Sequence, residues 1–282
     1  MSKVIAYLNL IRFFNPIGFW LLLWPGLWGL FLSGNMDISY FTIIVLGSFL
    51  TRSAGCAIND IIDIKYDRKV DRTKSRPLAN GDLTLKEALV FTLILASACL
   101  YLLSLTNMQT IYLVLAVAVP MIIIYPLMKR VIAVPQLFLG ATFGLSLPIS
   151  FSIAEGYVSL EIIFLYIGCI FWILAYDSYY ALCDIEDDQK IHINSSAIFF
   201  GADIQKIIML FYSIFVLIVM LVAIENNFKL MFIGALFLLY QGYFQNQLSQ
   251  EGRNLEAFKS NSHVGLVIAI ILFMENQSGL YN

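Results

Sequence analysis

The stretch AINDIIDIKYDRKVDRTKSRPLANG, residues 57–81, places four aspartates within twelve residues directly after a long apolar segment. Elsewhere the chain is strongly apolar: 60% of its 282 residues are hydrophobic, 13% are charged, and the mean hydropathy is +0.82. Soluble domains carry about 25% charged residues. The composition therefore predicts a polytopic membrane protein, and it raises the question of what four acids do at the end of an apolar helix.

Nine apolar segments are candidates for membrane-spanning helices, each of which needs about 20 apolar residues. They fall near residues 16–33, 40–58, 87–106, 110–128, 131–153, 160–183, 207–224, 228–247 and 263–275. The two longest hydrophilic stretches, 59–86 and 184–206, follow even-numbered spans and so lie on the same side. The sequence predicts an all-α, polytopic fold over residues 1–282, with about nine transmembrane helices in a bundle around a central cavity.

The distribution of Lys and Arg predicts the orientation of the bundle. Of the 17 basic residues, 15 fall on the side of the acidic loops, only Lys229 falls on the other side, and Arg52 lies within a span. The N-terminus and the acidic loops are therefore expected to be cytoplasmic, in a bacterial-type inner membrane. No basic stripe points to a nucleic-acid partner. The four cysteines have neither metal-site nor disulfide spacing.

Three polar residues of the opening stretch share one helical face. Asn59, Asp63 and Asp67 are spaced i, i+4 and i+8, so they line up if the second span continues through them. Like charges at this spacing repel, and a divalent cation would offset the repulsion. Carboxylate and amide oxygens suit magnesium, which tends to bind through one or two carboxylates together with substrate phosphates. Arg52, two turns deeper on the same face, predicts an anion anchor inside the membrane.

The remaining charges of the stretch have weaker assignments. Asp60 and Asp71 lie off the shared face; Asp60 is expected to orient a neighbour, and Asp71 to pair with Arg72 or Lys74. Arg72, Lys74 and Arg76 are candidates for contacts with phosphate, because Arg favours bidentate geometry. The alternative is that they are ordinary cytoplasmic loop charges.

A second acidic motif, YDSYYALCDIEDD, ends the sixth span at residues 176–188. Asp177, Asp184 and Asp188 fall near one face, and Tyr180 lies between them. Asp184 and Asp188 each follow the corresponding acid of the first motif by 121 residues. Two acidic clusters on one membrane side, each at a helix end, can face each other across one cavity.

This common register predicts two related four-helix halves, near residues 16–128 and 131–247, with an extra helix near 263–275. Lys129 and Arg130, at the end of the fourth span, would then lie close to both acidic motifs. Such a site would hold magnesium and a diphosphate, and its apolar walls suit an isoprenoid tail. The implied chemistry is prenyl transfer from a prenyl diphosphate. A cation channel or transporter is the distant alternative, although the acids cluster at one end and do not follow a pathway across the membrane.

The same segments resemble the signatures of the UbiA-type intramembrane prenyltransferases. They are RSAGCAINDIIDIKYDRKVDRTKSRPLANG (52–81), YPLMKR (125–130), PQLFLG (135–140), YDSYYALCDIEDD (176–188) and SSAIFFG (195–201). The resemblance continues through AFKSNSHVGLV (257–267), so it covers nearly the whole chain. Within the family it is greatest to members that prenylate 4-hydroxybenzoate in ubiquinone biosynthesis.

The resemblance implies a nine-helix bundle, dependence on Mg²⁺, and attachment of a polyprenyl chain to the ring carbon ortho to the hydroxyl of 4-hydroxybenzoate. Other acceptors stay open: homogentisate, a naphthoate, a haem precursor or a lipid. Matching positions imply metal and diphosphate binding by Asn59, Asp63, Asp67, Asp184 and Asp188, and diphosphate contacts by Arg130 and Lys129. Arg52 would hold the carboxylate of the acceptor, and a second-motif aspartate would assist proton removal. Lys74, Arg76, Asp177 and Tyr180 complete the candidate substrate site.

One departure from the family pattern concerns the loop after the second motif. This chain has His192 and Asn194 where the family usually has Gly and Lys. Three consequences stay open: weaker diphosphate binding, a shifted loop, or compensation by Lys190.

Overall fold

The computed structural model describes residues 2–70, 72–190 and 192–277, and these residues form helices joined by turns. The helices are α1 (Lys3–Leu10), α2 (Ile17–Leu32), α3 (Ile38–Asp67), α4 (Leu85–Ser104), α5 (Met108–Met128), α6 (Pro135–Glu155), α7 (Leu160–Lys190), α8 (Ser196–Glu225), α9 (Lys229–Gln250) and α10 (Asn254–Gln277). Three of them have a local irregularity. α5 has a π-helical segment at Val114–Ala118, α6 is interrupted at Leu145, and α8 has a 3₁₀ turn at Gly201–Asp203.

Seven described helices are long and apolar enough to cross a membrane. The other two long helices are α2, which has 16 residues, and α9, which is more polar because it carries Gln241 and Gln245 on its buried side. The nine predicted spans thus correspond to α2–α10, and the all-α bundle is confirmed. The division into two related halves plus one helix stays a prediction.

Both helices that carry the acidic motifs extend beyond their apolar spans. α3 was expected to span 40–58, but it starts at Ile38, after Asp37 caps it by accepting a hydrogen bond from the Ser39 N–H at 2.7 Å, and continues to Asp67. α7 likewise continues past residue 183 to Lys190. Each acidic motif is therefore helical, which gives Asn59, Asp63 and Asp67 the common face that their spacing predicts.

Aromatic rings form the centre of the core. Trp28 of α2 packs on Trp172 of α7 with ring centroids 5.0 Å apart, and Trp172 stacks on Phe215 of α8 at 5.7 Å. The indole N–H of Trp28 donates to the carbonyl of Gly265 at 2.9 Å, and that of Trp172 donates to Asn261 at 2.9 Å. These buried donors are satisfied, and they fix α2 and α7 against α10.

The short helix α1 packs against the loop between α3 and α4. Its buried face, Ala6 and Leu10, joins a second hydrophobic cluster with Leu78, Leu83 and Ala88. The ammonium of Lys3 contacts the carboxylate of Glu87 at 2.8 Å. Glu87 also forms a capping box with Thr84, which starts α4. These contacts place the loop after α3 over the end of the bundle that carries the acids, here called the acidic end.

Candidate functional site

A cavity of about 1340 Å³ runs from the acidic end into the bundle. Its walls are largely aliphatic, and its lining includes Ile44, Leu103, Val114 and Ile149. At the acidic end it adjoins a smaller recess of about 90 Å³, with which it shares polar lining residues of both motifs. The site is thus a long apolar chamber with a charged mouth.

Asp63, the central acid of the first motif, is paired with two cations. Its carboxylate accepts hydrogen bonds from the Lys129 ammonium at 2.5 Å and from the Arg130 guanidinium at 2.7 Å. Asp63 is 1% exposed. The Arg130 guanidinium lies 4.4 Å from the ring centroid of Tyr66, a cation–π arrangement. The end of α5 is therefore held against the end of α3, as the sequence predicts.

Asp67 and Asp60 share Arg76 of the following loop. The Arg76 guanidinium lies 3.1 and 3.0 Å from the two oxygens of Asp67 and 3.2 Å from Asp60. Asp60 also accepts a hydrogen bond from Arg12 at 2.6 Å. Burial alone would lower the pKa of Arg76, but the carboxylates of Asp60 and Asp67 outweigh it and raise that pKa above its ordinary value. Arg76 therefore stays charged.

A cation of the first motif bonds to the second motif. Arg72 donates to Asp184 at 2.7 Å and to the hydroxyl of Tyr180 at 2.6 Å, and its guanidinium lies 5.4 Å from the Tyr180 ring centroid. Asp188 and Asn59 line both the cavity and the recess. The two acidic motifs thus face each other across one opening.

Arg52 lies deeper, in the wall of the chamber. Its Nε is buried and has no hydrogen-bond partner among the described residues, and its guanidinium lies 5.5 Å from the centroid of the Phe143 ring. A Cβ at Gly18 would come within 2.4 Å of that Nε, so the glycine makes room for the side chain. Asp177 lines the same chamber and interacts electrostatically with Arg52. A cation with a spare donor in an apolar cavity is suited to bind an anion.

Most of the predicted site residues come together at this cavity. Asn59, Asp63, Asp67, Arg76, Lys129, Tyr180, Asp184 and Asp188 meet at the charged mouth, with Arg130 bonded to Asp63, while Arg52 and Asp177 lie deeper. Lys74 is exposed and lies outside the residues that line the cavity and the recess. The expected pairing of Asp71 lies outside the described residues.

The loop that departs from the family pattern is held close to the mouth. His192 has a φ of +54°, the left-handed conformation that favours glycine. The backbone N–H of Asn194 donates to the carbonyl of Lys129 at 2.9 Å, so this loop supports the end of α5. Lys190 is 69% exposed and bonds to Asp187 at 3.2 Å.

Three lining residues had no signal that would identify them from the sequence. Arg12 follows the N-terminal helix, Tyr125 precedes the Lys129–Arg130 pair by one turn, and Lys259 lies in α10. Arg12 looks like an ordinary positive charge at the membrane boundary until the bundle brings it to Asp60. Tyr125 and Lys259 fall in segments that resemble the family, YPLMKR and AFKSNSHVGLV, but nothing in the sequence singled them out as site residues.

The donor atoms at the mouth suit magnesium held together with a diphosphate. Among residues 2–70, 72–190 and 192–277, no three His, Cys, Asp or Glu side chains lie close enough together to enclose a metal ion. Asp63, Asp67 and Asp184 are each paired with Arg or Lys. Magnesium typically uses one or two carboxylates and completes its shell with phosphate and water oxygens. The same Arg and Lys side chains can accompany the phosphates.

Comparison with known proteins places this geometry in a family. The model of the UbiA prenyltransferase family matches residues 22–268. The 4-hydroxybenzoate octaprenyltransferase of Nitrosomonas eutropha is 42% identical, covering 93% of this chain and 94% of that protein. The protein of the same name from Vibrio parahaemolyticus is 40% identical, covering 97% and 98%.

Solved structures share the fold at low sequence identity. The apo UbiA homologue from Aeropyrum pernix matches with a TM-score of 0.80 at 22% identity, covering 90% of this chain and 98% of that chain. The UbiA homologue from Archaeoglobus fulgidus bound to GPP and Mg²⁺ matches with a TM-score of 0.75 at 18% identity, covering 96% and 99%.

Proposed function

The chain belongs to the UbiA prenyltransferase family, and from that membership we propose that it transfers a polyprenyl group from a polyprenyl diphosphate to 4-hydroxybenzoate. The product would be 3-polyprenyl-4-hydroxybenzoate, for ubiquinone biosynthesis. The observation that carries this proposal is that one apolar cavity has a charged mouth and, deeper inside, Arg52, whose buried Nε has no hydrogen-bond partner among the described residues. Each end of that cavity matches one substrate.

The charged mouth would hold the diphosphate with Mg²⁺. Asn59, Asp63, Asp67, Asp184 and Asp188 would hold the metal, and Arg72, Arg76, Lys129 and Arg130 would contact the phosphates. Bound magnesium would neutralise the negative charge that develops on the departing diphosphate. The Arg and Lys side chains would exchange their carboxylate partners for phosphate oxygens, which frees the carboxylates for the metal.

Arg52 would bind the carboxylate of the acceptor, and this sets the direction of the ring. With the carboxylate held in the depth of the chamber, the hydroxyl end points toward the mouth, where the prenyl C1 lies. Both Asp177 and Tyr180 of α7 line this cavity, where Asp177 interacts electrostatically with Arg52 and Tyr180 accepts a hydrogen bond from Arg72 at the mouth. The apolar walls take up the prenyl tail and exclude water from C1.

In the reaction, the bond between C1 and the diphosphate oxygen breaks and C1 forms a bond to the ring carbon ortho to the hydroxyl. The developing positive charge at C1 is balanced by the diphosphate that Arg72, Arg76 and Lys129 hold in place. The displaced ring proton passes to a base of the second motif, Asp177 or Asp184. Diphosphate leaves through the mouth.

The direct test is a product assay. Membranes containing the chain, incubated with 4-hydroxybenzoate, a polyprenyl diphosphate and Mg²⁺, should yield the prenylated acid by mass spectrometry. Asp63→Ala and Asp184→Ala should insert normally and form no product. A panel with homogentisate, a naphthoate, a haem precursor and a lipid acceptor tests the choice of acceptor. If no acceptor is prenylated, the proposal is wrong.

The chain is a multi-pass membrane protein by its family and its apolar helices. We place it in the inner membrane of a bacterium, with the acidic end in the cytoplasm. The support is the excess of Lys and Arg at that end, and a water-soluble aromatic acid and Mg²⁺ are both supplied there.

A further inference from the structure

Asp60, the acid that lies off the common face of the first motif, is the most enclosed charge of the site. It is 0% exposed. Its Oδ1 accepts hydrogen bonds from both Arg12, at 2.6 Å, and Arg76, at 3.2 Å. Its Oδ2 is buried and has no hydrogen-bond partner among the described residues. A carboxylate so enclosed depends on its cations for stability, so the two arginines are bound to it.

Arg12 is a fixed partner. Its Nη1 donates to the carbonyls of Asn9 and Leu10 at 2.9 and 3.2 Å, at the end of α1. Its backbone has a φ of +60°, and α1 is held by the contact between Lys3 and Glu87. Arg12 therefore reaches Asp60 from a segment that is itself anchored.

Arg76 is a shared partner. The same Nη1 that contacts Asp60 lies within 3.1 Å of both oxygens of Asp67. Asp67 is a proposed metal ligand, so a metal that binds there must displace this guanidinium. Asp60 is close enough to keep Arg76 when that happens, and it lies outside the proposed set of metal ligands.

We propose that Asp60 is a positioning residue that shares Arg76 with Asp67, so that Arg76 releases Asp67 to the metal while it stays beside the diphosphate. Arg12 sets how strongly Asp60 attracts Arg76. This inference rests on the proposed function, because it concerns the metal and diphosphate of that reaction. It gives the N-terminal segment, which lies outside the family-like motifs, a part in the active site.

The charges of this cluster predict effects of opposite sign. In the wild-type protein, the charges of the two arginines and the two aspartates of this cluster cancel. Asp60→Asn would leave Arg76 to Asp67 alone and add one net positive charge, so divalent metal should bind more weakly. Arg12→Gln would strengthen the attraction between Asp60 and Arg76 and add one net negative charge, so metal should bind more tightly. The double variant restores the balance.

The test measures metal binding directly. Full-length protein in lipid nanodiscs is titrated with Mn²⁺, followed by electron paramagnetic resonance, in the presence of geranyl thiolodiphosphate, an unreactive analogue. Asp60→Asn should raise the Mn²⁺ dissociation constant about tenfold, Arg12→Gln should lower it about threefold, and the double variant should return to within about threefold of the wild type. Lys206→Gln, which removes an exposed positive charge paired with Asp203 outside the cluster, is the matched control and should change nothing.

A role for Asp60 in folding alone predicts a different pattern. In that case the double variant would bind Mn²⁺ at least as weakly as Asp60→Asn, and this result would overturn the proposal. If Asp60→Asn does not fold, the test depends on Arg12→Gln. Mn²⁺ binding by Arg12→Gln that is weaker than, or the same as, that of the wild type would contradict the proposal. Failure of the prenylation assay with wild-type protein, with the Mn²⁺ shifts as expected, would refute the proposed reaction and leave the role of Asp60 intact.

Discussion

Arg52 is a cation in an apolar chamber, and its buried Nε finds no hydrogen-bond partner in the described part of the chain. If it binds the acceptor carboxylate, Arg52→Gln should raise the KM for 4-hydroxybenzoate roughly tenfold to a hundredfold, since a hydrogen bond to a charged group contributes about 1.5–3 kcal/mol. The KM for the polyprenyl diphosphate should stay within about twofold. Steady-state kinetics with each substrate varied in turn measures both values.

The matched control is an acceptor phenol that lacks the carboxylate. Wild type and Arg52→Gln should prenylate this phenol at the same low rate. An equal loss with both acceptors would mean that Arg52 supports the cavity and does not recognise the acid.

The left-handed backbone conformation of His192 leads to a prediction about stability. A left-handed backbone costs an L-residue roughly 1–2 kcal/mol, so His192→Gly should stabilise the protein by up to about 1 kcal/mol and His192→Val should destabilise it. Thermal unfolding in detergent measures both. Asn227, at φ +55°, is the control: asparagine tolerates this conformation, so Asn227→Gly should have little effect.

A loss of prenyl transfer in His192→Gly, with unchanged stability, would instead indicate that the imidazole contacts substrate. The preference of the family for glycine at this position has a backbone reason, which the sequence alone did not reveal. At position 194 the family resemblance implies a lysine, and this chain has an asparagine. Asn194 lines the cavity but carries no positive charge.

At the scale of helices, close packing around α2 depends on its glycines. A Cβ on Gly29 would lie 2.3 Å from the carbonyl oxygen of Leu147 in α6, a backbone atom that cannot move aside cheaply. Gly29→Ala should therefore lower the free energy of unfolding by about 1–3 kcal/mol. Gly47→Ala in α3 is the control: its Cβ would have no atom within 4 Å, so it should be neutral or stabilising by up to about 1 kcal/mol. Thermal unfolding that ranks the two variants in the reverse order would contradict this packing.

Periodicity and hydropathy predict different parts of these helices. Hydropathy located the positions of α2–α10 but ended two of the predicted spans at residues 58 and 183, because it reports contact with lipid and not the end of a helix. The i, i+4, i+8 spacing of Asn59, Asp63 and Asp67 gives a shared face only if the helix continues, and α3 does continue to Asp67. The sequence could not predict that Arg72 pairs with Asp184 or that Arg12 pairs with Asp60, because each pair forms only through tertiary packing.

At the scale of the whole molecule, the orientation in the membrane is testable at the two ends of α3. Lys69 follows its acidic end and Ser39 begins the opposite end, and both are exposed. In a Cys183→Ala background, which removes the exposed natural thiol, Lys69→Cys should react with a membrane-impermeant maleimide only in inside-out vesicles. Ser39→Cys should react in right-side-out vesicles. The reverse pattern would place the site outside the cytoplasm.

The ion pairs of the mouth also bear on how each catalytic cycle ends. Arg72, Arg76 and Lys129 each have a carboxylate within 3.2 Å. After transfer, re-forming these pairs competes with the inorganic product for the same cations. We therefore expect only weak product inhibition when inorganic diphosphate is added to the wild-type enzyme in the prenylation assay.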